Sequence, residues 1–212
     1  MLIARRNLMG GKPLPYLRRV AYLQPIGRAF IDTDYFANQD SDVSVIAEYG
    51  GSSYDRIFGS YNDVNAAFTI VSNWNIKNLG VRFGNFTEGV EILGEVKRNL
   101  RLNKTGFYVD DEVVIPIDYS STFQSIHPSW LFLTNPSTAN SSCKVYECSI
   151  YERGDLIKHF IPVLDLSGRP AMYDEVSEQF LYNEGSGDFA WYELETASNA
   201  PSQLRGGVNI NA

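Results

Sequence analysis

Residues 143–191 read CKVYECSIYERGDLIKHFIPVLDLSGRPAMYDEVSEQFLYNEGSGDFAW, and this segment is the strongest indicator of the fold class. It begins with alternating side chains, as the two faces of a β-strand require. One predicted face carries Val145, Glu147, Ser149 and Tyr151, and the other carries Tyr146, Cys148 and Ile150. Residues 152–155 predict a turn and residues 156–163 a returning strand, so the stretch opens with a β-hairpin. Short strands at residues 172–174 and 180–183 and a glycine-rich turn at residues 185–189 complete it.

This order of elements resembles a concanavalin A-like (LamG-like) β-sandwich module, a type found in structural proteins of phages and prophages of gut bacteria. Two upstream segments carry the same resemblance. Residues 21–33, AYLQPIGRAFIDT, are similar to the opening strand pair of that family, which usually reads YIESTGTQYIDTG. Residues 105–111, TGFYVDD, resemble its GLYIDG hairpin. The resemblance covers residues 20–190 and implies a jelly-roll scaffold, but a scaffold does not fix a function.

The rest of the chain also predicts strands and turns. Period-two or apolar runs bounded by Gly, Asn or Asp occur at residues 42–49, 54–61, 66–72, 79–84 and 99–103, and the solid apolar run 129–134 suits a central strand. No long helical periodicity interrupts them. A chain of 212 residues fits one sandwich. We therefore predict an all-β, concanavalin A-like jelly roll over residues 20–192, between an irregular basic arm (1–19) and a polar tail (193–212).

Charge is distributed unevenly between the arm and the sandwich. Residues 1–19 contain no acidic side chain and five of the 18 basic ones, so residues 20–212 hold 13 basic and 25 acidic residues, a net charge of −12. The basic residues of the arm are Arg5, Arg6, Lys12, Arg18 and Arg19. Glycines and prolines between them exclude one continuous helix or strand. The arm is either a solvated extension or a docking arm that contacts an acidic partner or a neighbouring copy.

Cellular location is predicted from what the sequence lacks. No run of about 18 apolar residues is present, so no membrane helix is predicted. The first residues lack the apolar core and cleavage site of a signal peptide, which favours synthesis in the cytoplasm. The two cysteines, Cys143 and Cys148, are separated by an odd number of positions and are expected on opposite faces of one strand, as buried, inert thiols.

Catalytic motifs are missing from the sequence. The two histidines, His127 and His159, have no metal-ligand spacing, and no nucleophile elbow, Walker loop or dinucleotide fingerprint occurs. A retaining glycoside hydrolase needs two carboxylates about 5 Å apart, and the Glu-x-Asp-x-x-Glu strand that supplies them in sandwich folds is absent. The acidic residues near position 40 follow no calcium-loop pattern. We predict a protein without enzymatic activity, cofactor or metal.

Carbohydrate binding remains open, because sugars are recognised by an aromatic platform with nearby amides. Trp74, flanked by Asn73 and Asn75 in a predicted loop, is the best platform candidate. Trp130 lies in the apolar run and is expected in the core. Trp191 follows the closing turn and is expected to pack under a loop or face a neighbouring subunit.

These observations predict a non-enzymatic structural protein of a phage virion, such as a capsid decoration, a head fibre or a tail-associated component. The expected partners are other virion proteins, further copies of the chain and a host-surface glycan. The net charge of residues 20–212 disfavours nucleic acid. Two alternatives stay open at this stage: a freestanding adhesion lectin of a gut bacterium, and an architectural protein that cements neighbouring subunits and binds no sugar.

Overall fold

The computed structural model describes residues 13–50, 55–61, 65–72, 79–92, 94–136 and 141–194. Within these ranges the chain forms seventeen strands and no helix. The strands build two sheets, and every pair of named strands is antiparallel. The all-β prediction is confirmed, and the two sheets are consistent with a β-sandwich.

The larger sheet has eleven strands. They are β1 (Arg18–Arg19), β2 (Tyr22–Ile26), β4 (Ser41–Glu48), β9 (Arg98–Asn103), β10 (Gly106–Val109), β11 (Glu112–Pro116), β13 (Lys144–Glu152), β14 (Asp155–Leu164), β15 (Pro170–Asp174), β16 (Gln179–Leu181) and β17 (Asp188–Tyr192). Eight of them follow the order β11-β10-β9-β4-β13-β14-β15-β16. The other three lie off this path: β2 pairs with β13 and β17, and β1 pairs with β14.

The smaller sheet has six strands in the order β3-β12-β5-β6-β7-β8. They are β3 (Ile31–Asp32), β5 (Arg56–Tyr61), β6 (Ala67–Ser72), β7 (Leu79–Gly84), β8 (Phe86–Val90) and β12 (Trp130–Leu131). The apolar run 129–134 was predicted as one central strand, but β12 contains two residues of it. Phe132 has a positive φ of 70°, so the chain leaves the strand direction there.

The main core lies between the two sheets. Its fully buried aromatic side chains include Phe58, Phe68, Phe83, Phe107, Phe132 and Phe160. Strand β4 shows how the sequence directs this packing, because its residues alternate between buried and half-buried along its whole length. Alternation of this kind removes one face of the strand from water, which is the dominant favourable contribution to folding.

A β-bulge in β13 overturns the predicted face assignment. Val145 pairs with Ala47 and Glu147 pairs with Ile46, so Tyr146 is the extra residue. The bulge shifts the alternation by one position, and Val145 is buried together with Cys148 and Ile150. The two cysteines were predicted on opposite faces for the same reason, and that prediction is wrong. Both are buried in the main core as free thiols.

Both predicted hairpins are present. Strands β13 and β14 are joined by Arg153 (φ 54°) and Gly154 (φ 91°), and β10 and β11 by Asp110 (φ 51°) and Asp111 (φ 69°). Positive φ at both central residues is the mark of a type I′ turn, whose twist matches that of the flanking strands. The strands predicted within residues 21–33 also form, as β2 and β3, but they lie in different sheets and pair with other strands.

A second, smaller core covers the outward face of β14 and β15. It contains Ile161, Val163, Ala171 and Tyr173, with Tyr16, Phe180 and Tyr182 packed against it. Tyr16 belongs to the predicted arm, and its ring meets that of Tyr173 edge-on at 5.4 Å between centroids. Residues close to β1 therefore contribute to the packing of the larger sheet.

Candidate functional site

Most of the residues predicted to carry function lie outside the described residues. Asn73, Trp74 and Asn75 belong to the connection between β6 and β7, and the predictions made for them remain predictions. The same holds for three basic residues of the arm, Arg5, Arg6 and Lys12. The structure places the other two, Arg18 and Arg19.

Arg18 and Arg19 form β1, and their side chains contact other residues of the same domain. β1 pairs with β14, and the backbone N–H groups of Leu17 and Val20 extend the pairing with bonds of 2.9 and 3.0 Å to carbonyls of that strand. The Arg18 guanidinium donates to Glu193 at 2.6 Å, and Arg19 donates to Glu147 at 3.0 Å. Both arginines remain partly exposed. Exposed pairs of this kind stabilise a fold weakly, by about 0–1 kcal/mol each.

The first and last described segments of the chain lie next to each other at one edge of the larger sheet. Tyr22 in β2 is the register partner of Tyr192 in β17, and the Ala21 N–H donates to the Tyr192 carbonyl at 2.7 Å. The ion pair between Arg18 and Glu193 joins the two ends directly. We name this region, formed by β1, β2, β17 and Glu193, the terminal edge.

Three tyrosines gather beside the terminal edge, and we name Tyr22, Tyr146 and Tyr192 the tyrosine cluster. The rings of Tyr22 and Tyr192 stack with 4.7 Å between centroids and an interplanar angle of 25°. The Tyr146 ring lies 5.0 Å from that of Tyr22, at 55°. Tyr192 is 50% exposed. Tyr146 reaches the cluster because it is the bulge residue of β13.

Cations and one carboxylate surround the tyrosine cluster. The Lys144 ammonium lies 5.3 Å from the ring centroid of Tyr22, and the Lys97 ammonium 4.5 Å from that of Tyr146. Glu48 accepts from Lys144 at 2.5 Å and from the Tyr146 hydroxyl at 3.0 Å. Desolvation, followed by the bond to Glu48, raises the pKa of Tyr146 above its ordinary range. The bond to Glu48 also raises the pKa of Lys144.

These pKa shifts describe the protonation states of two groups in and beside the tyrosine cluster. Near neutral pH Tyr146 stays neutral and Lys144 stays charged, so neither is poised as a general base. Clustered, partly exposed tyrosines are instead typical of protein interfaces, where Tyr, Trp and Arg are enriched. Trp191 adds to this surface, because the Arg18 guanidinium lies 4.8 Å from its ring centroid.

A polar cleft of about 340 Å³ lies among the turns at one end of the larger sheet. It is lined by Asp40, Ser41, Asp42, Asn103, Lys104, Thr105, Arg153 and Gly154. Asp40 accepts from Arg153 at 3.1 Å and from Lys104 at 3.4 Å, and Asp42 pairs with Arg101 at 2.5 Å. The hydrogen bond from Arg153 is the largest cause that lowers the pKa of Asp40. Both carboxylates of this cleft therefore contact basic side chains.

Three other reactive side chains of the described chain, one histidine and two cysteines, form contacts within the fold or are buried in it. His159 lies 3.1 Å from Glu147 through Nε2 and 3.1 Å from Glu175 through Nδ1. Burial raises the pKa of both cysteine thiols above the ordinary range. In the part of the chain that the structure describes, no group of three or more His, Cys, Asp or Glu side chains could hold a metal ion. No described helix is long and apolar enough to span a membrane.

The two described tryptophans occupy intermediate positions. Trp130 was expected in the core but is half-buried. Its ring stacks on Phe30 at 3.9 Å, and its indole N–H donates to Asp32 at 3.1 Å. Trp191 is partly buried against the main core.

Sequence reasoning missed the tyrosine cluster, because its members come from three distant strands. Strand alternation alone could have placed Tyr22 and Tyr192 on outward faces, yet nothing local indicates that β2 and β17 are neighbours. Comparison with known proteins does not help to identify the site, because no protein family and no curated protein matches the chain.

Proposed function

We propose that this chain is a non-enzymatic structural protein of a phage particle, built on a concanavalin A-like jelly roll and attached to the particle through its terminal edge. Its neighbours there are other virion proteins or further copies of the chain. The rest of the sandwich is displayed outward, where the segment around Trp74 contacts a host-surface glycan. The phage origin rests on the resemblance described above, and the mode of attachment rests on geometry.

The observation that carries the attachment is the convergence of the two described ends on one edge. The basic residues Arg5, Arg6 and Lys12 precede β1 in the sequence, and the polar tail begins at Glu193, so the arm and the tail join the described chain at the terminal edge. The tyrosine cluster lies on the same side. A protein held there leaves the rest of the sandwich free to meet a ligand.

The absence of catalysis is proposed from the state of the described carboxylates. Glycoside hydrolysis needs one carboxylic acid with a raised pKa, ready to protonate the leaving group. In the polar cleft the pKa of Asp40 is instead lowered. Asp40 therefore does not fit the role of that acid.

The direct test of the virion role is mass spectrometry of density-gradient particles from the organism that encodes the chain. A fixed copy number relative to the most abundant structural protein is expected. Hundreds of copies would favour capsid decoration, and tens or fewer would favour a tail or fibre component. Absence from particles would contradict the proposal and favour the freestanding lectin, which cell fractionation would then locate.

The docking role of the arm is tested with a truncation placed by the structure. Deleting residues 1–12 removes Arg5, Arg6 and Lys12 but keeps β1 and Tyr16, which a deletion of residues 1–19 would remove. We expect the 1–12 truncation to melt like the full chain and to be lost from particles. The control is Arg153→Gln in the full chain, which removes an exposed positive charge from the β13–β14 turn, away from the terminal edge, and its incorporation is expected to persist. Normal incorporation of the truncation would rule out docking through these three residues.

The glycan role is tested with Trp74→Ala on a glycan array. Loss of any measured binding is expected, and unchanged binding would move the site elsewhere. A purely cementing protein is the second candidate, and the composition of the tyrosine cluster favours it. An array without any bound glycan, together with stoichiometric incorporation into particles, would identify that role.

A further inference from the structure

The polar cleft lies at the other end of β4 from the tyrosine cluster. Asp42, near the start of that strand, lines the cleft, and Glu48, its last residue, accepts a hydrogen bond from Tyr146 in the tyrosine cluster. The extended chain from residue 42 to residue 48 spans about 20 Å. A chain attached through its terminal edge therefore leaves this cleft open to solvent and to a ligand.

The side chains at the rim of the polar cleft are open to solvent and keep unused hydrogen-bond donors. Arg153 is 74% exposed and contacts Asp40 through Nε, which leaves its terminal guanidinium nitrogens without a hydrogen bond to any described residue. Lys104 is 55% exposed, and its contact with Asp40 is long, at 3.4 Å. The Oδ1 atom of Asn103 accepts from the N–H and hydroxyl of Thr105 at 2.9 and 2.7 Å, and its Nδ2 bonds to no described residue. Donors of this kind can reach a ligand without any opening of the fold.

The charged side chains that line the polar cleft balance one another. Two are negative, Asp40 and Asp42, and two are positive, Lys104 and Arg153. For a charged ligand, attraction to one of these pairs is offset by repulsion from the other. A hydroxyl both donates and accepts, so it can bond to a carboxylate and to the neighbouring cation at once. The lining therefore favours an uncharged ligand that is rich in hydroxyl groups.

An aromatic ring stands beside the polar cleft. Tyr108 is half-buried, and its hydroxyl lies 2.9 Å from the hydroxyl of Thr105 in the cleft lining. Its ring leans over Gly106, where an added Cβ would lie 3.2 Å from the ring carbon Cε2. Sugars are recognised by an aromatic surface with polar groups close by, because one face of a sugar ring carries mainly C–H groups. The cleft volume of about 340 Å³ is at the lower end of the range for ligand sites, about 300–1,000 Å³, which suits a single sugar unit.

We propose that the polar cleft binds a neutral sugar unit of a host-surface glycan. Sugar hydroxyls accept from the Arg153 guanidinium and the Asn103 amide and donate to the Asp40 carboxylate, while the sugar ring packs against Tyr108. This site deepens the glycan part of the proposed function and rests on it, and it acts in addition to the segment around Trp74. Two weak sites on one chain bind a dense glycan surface more tightly than either site alone, so binding to an array needs both.

The test is an NMR titration of the full chain with the methyl glycosides of glucose, galactose and mannose, one at a time. At least one glycoside is expected to cause saturable shifts at the amides of Asn103, Thr105 and Gly154, and added salt should change them little because the ligand is neutral. Asp40→Ala should weaken that binding by about tenfold or more, the loss expected for a hydrogen bond to a charged group. Asp188→Ala, which removes an exposed carboxylate from β17, is the matched control and should bind like the wild type.

Three results would overturn the site: no saturable shifts with any of the three glycosides, unchanged binding in Asp40→Ala, or equal shifts with glycerol, which has hydroxyls but no ring. Tighter binding of glucuronate or glucosamine than of every neutral glycoside would overturn the assignment to a neutral sugar. Trp74→Ala should titrate like the wild type, and loss of its binding would place the sugar at the Trp74 segment instead. All titrations use the isolated protein, so a failure of the virion role leaves them unaffected.

Asn103→Asp keeps the test valid if Asp40→Ala disturbs the turn around it. Aspartate has the shape of asparagine and keeps an oxygen that can accept from Thr105, so the melting temperature should change little. The substitution removes the amide donor and should weaken glycoside binding several-fold. A purely structural role for Asn103 predicts unchanged binding, and that result would overturn its role as a donor. Arg153→Gln should likewise weaken glycoside binding while its incorporation into particles persists, which separates the cleft from the attachment surface.

Discussion

At the scale of single residues, Asp55 shows how one buried carboxylate fixes distant segments. Its side chain accepts from the Gly50 N–H at 2.8 Å, and from the Ser142 N–H and hydroxyl at 2.5 and 2.8 Å. Ser141 donates at 3.4 Å. Asp55 itself is fully buried. The carboxylate therefore holds the end of β4 and the entry to β13 against the start of β5.

Asp55→Ala is expected to lower the free energy of unfolding by about 3 kcal/mol, because it leaves several buried donors without an acceptor. Urea unfolding followed by circular dichroism measures the change. Asp118→Ala is the control, since Asp118 is exposed, and it should change stability by less than about 0.5 kcal/mol. Equal unfolding curves for the two variants would contradict the structural role of Asp55.

The contribution of Asp165 to the stability of the fold is expected to depend on pH in the acidic range. Its carboxylate accepts from the Ser167 hydroxyl at 2.6 Å, from the Ser167 and Arg169 N–H groups at 2.8 and 3.0 Å, and from the Tyr182 hydroxyl at 3.0 Å. These bonds, led by that of the Ser167 hydroxyl, lower its pKa from 3.8 to about 2. A lowered folded-state pKa means that the contribution to stability is complete above pH 3.8 and is lost as the pH falls towards about 2.

Asp165→Asn should therefore lower stability at neutral pH, and the difference from the wild type should shrink between pH 3.8 and about 2. Urea unfolding at a series of pH values measures this difference. Asp188→Asn, a change of an exposed aspartate, is the control. A gap between Asp165→Asn and wild type that stays constant down to pH 2 would contradict the assigned cause.

Residue roles of this kind could be predicted from the sequence only where they depend on composition. Buried cysteines were expected, because free thiols usually pack as small apolar groups. The bonds of Asp55 could not be predicted, since they join segments far apart in the chain whose proximity is a property of the folded sheets.

At the scale of elements, the bulge in β13 keeps both halves of that strand aligned with the core. Without the extra residue Tyr146, Val145 would be followed by Glu147, and strict alternation would place Val145, Cys148 and Ile150 on one face. Deleting Tyr146 should therefore preserve the core. Deleting Ser149 should turn Ile150 outward, because a one-residue shift reverses every side chain beyond it.

The two deletions make a matched pair. Deletion of Tyr146 is expected to give a folded protein that is less stable by about 1–2 kcal/mol, through loss of its aromatic contacts and its bond to Glu48. Deletion of Ser149 is expected to prevent folding. Soluble yield and NMR peak dispersion distinguish the outcomes, and similar behaviour of both deletions would contradict the bulge assignment.

The elements that the sequence predicted well are those specified locally. The β13–β14 and β10–β11 hairpins follow from alternation and a short turn, which lie within one stretch of chain. Residues 21–33 were predicted as a strand pair, yet β2 and β3 lie in different sheets, because the partner of a strand is selected by long-range packing. The apolar run 129–134 shows the same limit, since burial of a segment does not require a strand.

At the scale of the whole molecule, composition and turn spacing were sufficient to predict an all-β chain. The arrangement of eleven and six strands was not predictable in this way, because short strands at the periphery depend on neighbours supplied by the rest of the fold. The tyrosine cluster has the same origin, because it combines side chains from β2, β13 and β17.

The tyrosine cluster gives the prediction that belongs to this scale. If the terminal edge is the attachment surface, Tyr192→Ala should reduce incorporation into particles, because exposed aromatic anchors commonly contribute about 2 kcal/mol or more at interface centres. Loss of its stacking on Tyr22 should lower the stability of the isolated protein by only about 0.5–1.5 kcal/mol. Copy number by mass spectrometry and a urea curve measure the two effects separately.

The control is Val176→Ala, which changes an exposed apolar residue in the β15–β16 turn and should be incorporated normally. Equal incorporation of both variants would place the attachment surface away from the terminal edge, because a half-exposed tyrosine at the centre of a contact cannot be removed without weakening it.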